Sequence, residues 1–260
     1  MRTFIVALAA LAMSISTVTI AHADKLADIL SKGVVRIGVP VDVPPFGSQD
    51  ANRNPVGFDV DLAGLVGKAL GVKVELQQIT GANRIPNLLT DKIDIVIAVM
   101  GLTPERAKQI MFTAPYADTY NAVYGAKATA VDSAGKTGAL KIAVAKGTTQ
   151  DLTLSAMNPD AVLMRTEDDA TAMQAYLSHQ ADLLATNSLV VLDIAKKNPS
   201  VEFAEKFILD RGPAHMGVQM GEQNLLNWLN SFIYASSLNG DLDTLHRKFL
   251  DRPFAMLPTL

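Results

Sequence analysis

Three short stretches carry residue types that can hold an anion. Thr103-Pro104-Glu105-Arg106 follows a run of β-branched apolar residues. Threonine before proline marks a helix start, with Thr103 as the cap and Pro104 as the first helical residue. Such a start exposes unpaired N–H groups and a partial positive charge. Three residues past the cap an acid is usual; here the position holds Arg106, which the helix dipole disfavours. A guanidinium beside free N–H groups suits a carboxylate, which it grips with two parallel hydrogen bonds. The alternative is a solvated surface arginine.

Gly147-Thr148-Thr149 is the second stretch, between an apolar strand and a helix. Glycine permits close backbone approach, and the threonines offer hydroxyls and N–H groups. Taken alone it also reads as an ordinary turn and cap. In the third, Asn83-Arg84-Ile85-Pro86, Arg84 opens a helix soon after a strand. It is either a second cation near a pocket or the partner of Asp59 or Asp61 in a salt bridge.

The elements that must position these residues follow from periodicity. Strands are expected at 34–39, 72–79, 93–99, 140–145, 161–164 and 181–185, with extended segments at 207–212 and 216–220. Helical spacing predicts helices at 26–32, 58–69, 84–89, 149–157, 168–178, 189–197, 224–238 and 242–250. Strand alternating with helix predicts an α/β fold with ligand sites at the carboxyl ends of strands.

Arg2, an apolar stretch to Ile20 and Ala21-His22-Ala23 have the layout of a secretory leader cleaved after Ala23. The stretch is short for a membrane-spanning helix. The chain has no cysteine, which excludes a lipidated cysteine at the cleavage site, thiolate zinc sites and thiol catalysis. An exported, unanchored chain is expected in a Gram-negative periplasm. A formal net charge of −3 without a Lys/Arg block disfavours nucleic acid and anionic membrane surfaces. No nucleotide-binding, serine-hydrolase or zinc-protease motif occurs, and His179, His215 and His246 are isolated. No catalytic residue, metal or cofactor is expected.

In order and spacing, Val35-Arg36-Ile37-Gly38, Pro45-Phe46, Gly57-Phe58-Asp59-Val60-Asp61-Leu62, Thr103-Pro104-Glu105-Arg106, Phe112-Thr113-Ala114-Pro115-Tyr116 and Gly147-Thr148-Thr149 form a combined pattern. The chain resembles the periplasmic solute-binding proteins of polar amino-acid ABC transporters, the bacterial extracellular solute-binding family 3, from about Gly33 to Leu250. The resemblance implies a two-lobed periplasmic binding protein fold of type II, with two crossover hinge strands and a ligand cleft. It places lobe 1 at 25–122 and 215–260, lobe 2 at 123–214, and the hinges near 121–126 and 213–218. It implies a monomer that captures an amino acid or related small carboxylate by lobe closure and delivers it to a membrane ABC permease.

The resemblance also implies site residues. Arg106 would hold the ligand α-carboxylate from one lobe and Thr148 from the other, with Thr103, Gly101, Phe46 and Arg84 nearby. Three departures stand out. Asn187 replaces the aspartate that binds the α-ammonium; Val43 falls where an aromatic stacks on the ligand; Val99 and Gly101 replace two hydroxyls. Asp168 or Asp169, at a second-lobe helix start, could supply the missing negative charge, although acids there also simply favour the helix dipole. Arg84 aligns with an arginine used on side-chain carboxylates. The competing expectation is an enzyme on the same scaffold, similar to periplasmic cyclohexadienyl dehydratases, needing a pocket acid such as Glu167, Asp168 or Asp169.

Overall fold

Apolar runs ended by glycine and polar turns set the strands, and amphipathic stretches of 3.6-residue period set the helices between them. The protein was analysed as a computed structural model that describes residues 24–255; the expected leader at 1–23 lies outside the described residues. The first part comprises α1 (Lys25–Lys32), β1 (Val34–Pro40), β2 (Ser48–Gln49), β3 (Pro55–Val56), α2 (Phe58–Leu70), β4 (Lys73–Ile79), α3 (Arg84–Leu89), β5 (Ile95–Gly101), α4 (Pro104–Ala107) and β6 (Ile110–Ala117). A middle part holds β7 (Asn121–Gly125), β8 (Ile142–Ala145), α5 (Thr149–Met157), β9 (Leu163–Thr166), α6 (Asp169–Leu177), β10 (Leu183–Asn187), α7 (Ser188–Lys197) and β11 (Ala204–Asp210). The chain ends with β12 (Ala214–Gln219), α8 (Gln223–Leu238) and α9 (Asp241–Leu250).

These elements form two five-stranded sheets, one per lobe, and a small β2–β3 hairpin. The first sheet has the order β4-β1-β5-β12-β6. In it β1 runs parallel to β4 and β5, and β12 runs antiparallel to β5 and β6. The second has the order β11-β7-β10-β8-β9, with β8 parallel to β10 and β9 and β7 antiparallel to β10 and β11. Ile37, Val39, Phe58, Leu62, Val66, Leu225 and Leu229 are fully buried about the first sheet. Val123, Ile142, Val144, Leu154 and Leu183 fill the core of the second.

The chain crosses between sheets at 118–120 and 211–213, a few residues before each expected hinge. Asn121–Gly125 is fully buried and pairs along its length with β10, so it belongs to the second sheet. Ala214–Gln219 pairs with β5 and β6, so it belongs to the first. The crossovers are tied together: Asn121 Nδ2 donates to both carboxylate oxygens of Asp210, at 3.0 and 3.1 Å.

Two features shape the end of β5. Asp59, in the first turn of α2, is completely buried, and its Oδ2 accepts the Val99 N–H at 2.9 Å. The Tyr116 hydroxyl donates to Asp59 Oδ1 and accepts the same Val99 N–H, each at 2.9 Å. Val99 has φ of +40°, a conformation that β-branched residues rarely adopt. The paired acceptors hold this turn, which aims the carbonyls of Ala98 and Gly101 at two arginines.

Candidate functional site

The carboxyl ends of β1, β4, β5, β8 and β10 converge on a cavity between the lobes. Pro40, Asp42 and Val43 line it after β1, Ile79 to Gly81 after β4, and Ala98 and Val99 on β5. Arg84 and Asn121 complete the first-lobe and hinge side. Thr148, Thr149, Gln150, Asp169 and Asn187 close it from the second lobe. The polar walls come from helix starts and strand ends, as expected for an α/β fold.

Arg106 links the two lobes across the cleft. Thr103 Oγ1 accepts the Arg106 N–H at 3.2 Å, so the predicted cap forms and fixes the backbone of α4. The side chain, 3 % exposed, turns inward. Its Nη1 donates to Gly101 O at 2.7 Å and to Thr149 Oγ1 at 2.9 Å, and its Nη2 to Gly147 O at 3.0 Å. Gly101 is in its own lobe; Gly147 and Thr149 are in the other. Burial, with Arg84 acting in the same sense, pushes the guanidinium down to about 9, against the pull of Asp210. It reaches the cavity wall through Thr149.

The partner threonine differs from the one expected. Gly147, at φ of +71°, sets Thr148 in the extended cap conformation of α5. The Thr148 hydroxyl donates to Ala145 O at 2.7 Å and accepts the Asp151 N–H at 3.3 Å. Local bonds therefore consume it, and Thr149, one residue on, faces Arg106. The other first-turn N–H groups of α5 lie beyond any intrahelical acceptor and point toward the cleft end of the helix.

The remaining predicted residues separate into two groups. Asn187 caps α7; its Oδ1 accepts the Leu189 N–H at 3.0 Å and the Thr119 hydroxyl at 2.8 Å. Only its amide N–H groups are left for the cavity. Arg84 is 6 % exposed and donates from Nη1 to Ala98 O at 3.0 Å, while its Nε has no partner. It forms no ion pair with Asp59 or Asp61; Asp61 pairs with Lys248 at 2.6 Å instead. Asp169 lines the cavity, whereas Asp168 spends its carboxylate capping α6, accepting the Thr171 N–H at 2.7 Å. Phe46 is a core residue, not a cavity residue: it is fully buried edge-on to Phe58, their ring centroids 5.9 Å apart. Thr103 serves only as the cap of α4, and Gly101 contributes its carbonyl.

Asp42 was not foreseen from sequence. It lies in the irregular loop after β1, where no periodicity applies, and only its place at a strand end could have marked it. Its Oδ2 accepts the Asp169 N–H from the other lobe at 2.9 Å. Burial raises its carboxyl, and raises that of Asp169 to about 7 with Asp42 acting in the same direction.

The lobes touch closely at a glycine. A Cβ on Gly81 would lie 2.7 Å from Thr148 Cγ2 and 3.1 Å from Lys146 O, both across the cleft. Gly81→Val is expected to leave the fold intact and to weaken ligand binding at least about tenfold by obstructing closure. Calorimetry beside small-angle scattering checks this; unchanged affinity contradicts it.

Among the described residues, no group of three His, Asp or Glu side chains could hold a metal ion, and no helix is long and apolar enough to cross a membrane. The family model of bacterial extracellular solute-binding proteins, family 3, matches residues 35–252. The chain is 28 % identical to the "ABC transporter glutamine-binding protein GlnH" of Bacillus subtilis, over 87 % of this chain and 85 % of that one. It superposes on the solute receptor for L-cysteine of Neisseria gonorrhoeae with a TM-score of 0.82 and 33 % identity, covering 86 % of this chain and 93 % of that one. It is also 25 % identical to the cyclohexadienyl dehydratase of Pseudomonas aeruginosa, over 88 % of this chain and 94 % of that one.

Proposed function

Because the chain belongs to the bacterial extracellular solute-binding proteins, family 3, we propose that it captures an amino acid between its lobes and delivers it to the membrane permease of an ABC transporter. It does so in the periplasm, after loss of the leader at 1–23, as a monomer. The carrying observation is that Arg106 of one lobe meets Thr149 and Gly147 of the other beside the start of α5. A ligand carboxylate offers this guanidinium a charged partner in place of neutral oxygens, and it takes the free N–H groups of α5 at the same time. Contacts to both lobes exist only in the closed state, so ligand binding favours closure. Closure is then what the permease senses.

A thermal-shift panel of the twenty L-amino acids, L-cystine and small organic acids tests this. A ligand at a hundredfold excess over its Kd stabilises by about 2.7 kcal/mol. For a chain of this size that raises the melting temperature by roughly 5–10 °C. Absence of any shift with an amino acid overturns the proposal. The dehydratase reading draws on one observation, Asp169 in the cavity wall, whose carboxyl burial raises to about 7, the range of a general acid. Turnover of prephenate or arogenate by the purified protein decides for it.

A further inference from the structure

The charges lining the cavity do not compensate one another. Asp42, Arg84 and Asp169 are the charged residues of its wall. The two aspartates come from opposite lobes and meet through the Asp169 N–H, which Asp42 Oδ2 accepts. Asp42 Oδ1 is buried without a partner, as is Arg84 Nε. Among the described residues no ion pair within 4.0 Å involves Asp42, Arg84 or Asp169. Two carboxylates face one guanidinium, so the wall is one positive charge short. Burying an unpaired carboxylate is costly enough that such groups either neutralise or find a cation.

Asn187 cannot supply the complementary ammonium site. The Leu189 backbone N–H can only donate, so the atom facing it is the amide oxygen, and the Thr119 hydroxyl donates to the same oxygen. What Asn187 turns to the cavity is an NH2 group, which donates and does not accept.

We propose that Asp42 and Asp169 form a cation subsite, one carboxylate from each lobe, that holds the ammonium of the bound amino acid. The inference rests on the amino-acid reading above, with the ligand carboxylate at Arg106 and the start of α5. The ammonium and Arg84 then balance the two aspartates, as Arg106 balances the carboxylate. A zwitterion fills the site without residual charge; an acid lacking the amine leaves one aspartate uncompensated. Since the two carboxylates converge only when the lobes meet, the ammonium strengthens closure together with the carboxylate. The raised pKa of both acids fits a pair awaiting a cation.

The test uses the full purified chain and calorimetry. The probes are the amino acid giving the largest shift among the twenty L-amino acids and L-cystine, and the α-hydroxy acid with the same side chain. Wild type is expected to bind the hydroxy acid at least about thirtyfold more weakly. Asp42→Asn and Asp169→Asn are each expected to weaken amino-acid binding at least about tenfold while binding the hydroxy acid no more weakly than wild type does, because each removes the uncompensated charge. Equal wild-type affinity for both probes overturns the subsite, and so do aspartate variants that keep wild-type affinity for the amino acid. If those variants bind normally while Arg106→Ala does not, the subsite is wrong and carboxylate capture stands. If folded wild type binds no amino acid in the panel, both readings fall. Should a variant misfold, the comparison of probes on wild type still decides.

Discussion

Arg106→Ala is expected to lower ligand affinity at least about a hundredfold, the scale of truncating one member of a buried, hydrogen-bonded charge pair. The unliganded protein should stay folded, with a melting temperature close to that of wild type. The second expectation follows from the fold's own balance. The guanidinium is 3 % exposed, and its partners are neutral oxygens of Gly101, Gly147 and Thr149. Its pKa of about 9 lies below the usual arginine value, so the fold disfavours the charged form relative to the unfolded chain. This contribution opposes folding at neutral pH and fades as pH rises above the folded value. Removing the side chain therefore takes away a desolvation cost and leaves no orphaned charge, which offsets the three hydrogen bonds it gives up. Arg106→Lys keeps the charge but loses the two-armed geometry, and should fall between wild type and alanine in affinity. Calorimetry and thermal melts on the three proteins decide; affinity of Arg106→Ala within about threefold of wild type removes the guanidinium from the recognition mechanism.

Asp59→Ala is expected to be the most destabilising substitution near the site, at about 2–4 kcal/mol. It strips an acceptor from the Val99 N–H and the partner from the Tyr116 hydroxyl, inside a core where water does not replace them. It also releases the left-handed turn at Val99. At this chain length the melting temperature should fall by roughly 5–15 °C. Ligand affinity should fall as well, because Ala98 O and Gly101 O, on either side of Val99, orient Arg84 and Arg106.

Asp59 also predicts a pH dependence. Burial pushes its carboxyl up from 3.8 to about 7, against the hydrogen bonds from Tyr116 and Val99 and the attraction of Arg84. Within that window the folded chain keeps a proton that the unfolded chain has released. Stability should therefore fall as pH rises through it. Asp169, faced by Asp42, Arg84 and Asp168, acts with the same sign in the unliganded protein. Buried His215 and His246, both held below their usual value, act with the opposite sign in wild type and variant alike, so the readout is the comparison: between pH 5 and pH 8, urea melts should show wild type losing stability relative to Asp59→Asn. An unchanged difference in that variant would assign the effect elsewhere.

Much of the scaffold was legible because periodicity reports burial directly. The strand at 34–39, the helix at 58–69 and the helix at 224–238 lie within a few residues of β1, α2 and α8. The strand at 93–99 was placed slightly early because Ile93 is buried before β5 begins. The crossovers were misplaced because Asn121–Gly125 reads as apolar strand wherever it pairs, and only its partner, β10, assigns it to a sheet. Thr148 and Thr149 are the same residue type in adjacent positions. Which hydroxyl is spent on the cap depends on backbone angles set by Gly147, and spacing does not encode that. Phe46 was misread because a proline-rich loop has no period to separate its core side from its cleft side. Asp42 escaped for the same reason: its importance comes from Asp169, far along the chain and in the other lobe.

The order of strands in the first sheet governs when the molecule can become itself. The second sheet is drawn wholly from 121–210, so it can assemble as soon as that segment is available. The first sheet cannot, because β12 lies between β5 and β6 and is made almost last. Until Ala214–Gln219 arrives, β5 has only β1 beside it and β6 has no partner in the sheet, and α8 and α9 are not there to cover them. The first lobe is therefore completed only near the end of synthesis, after every strand of the second has been made.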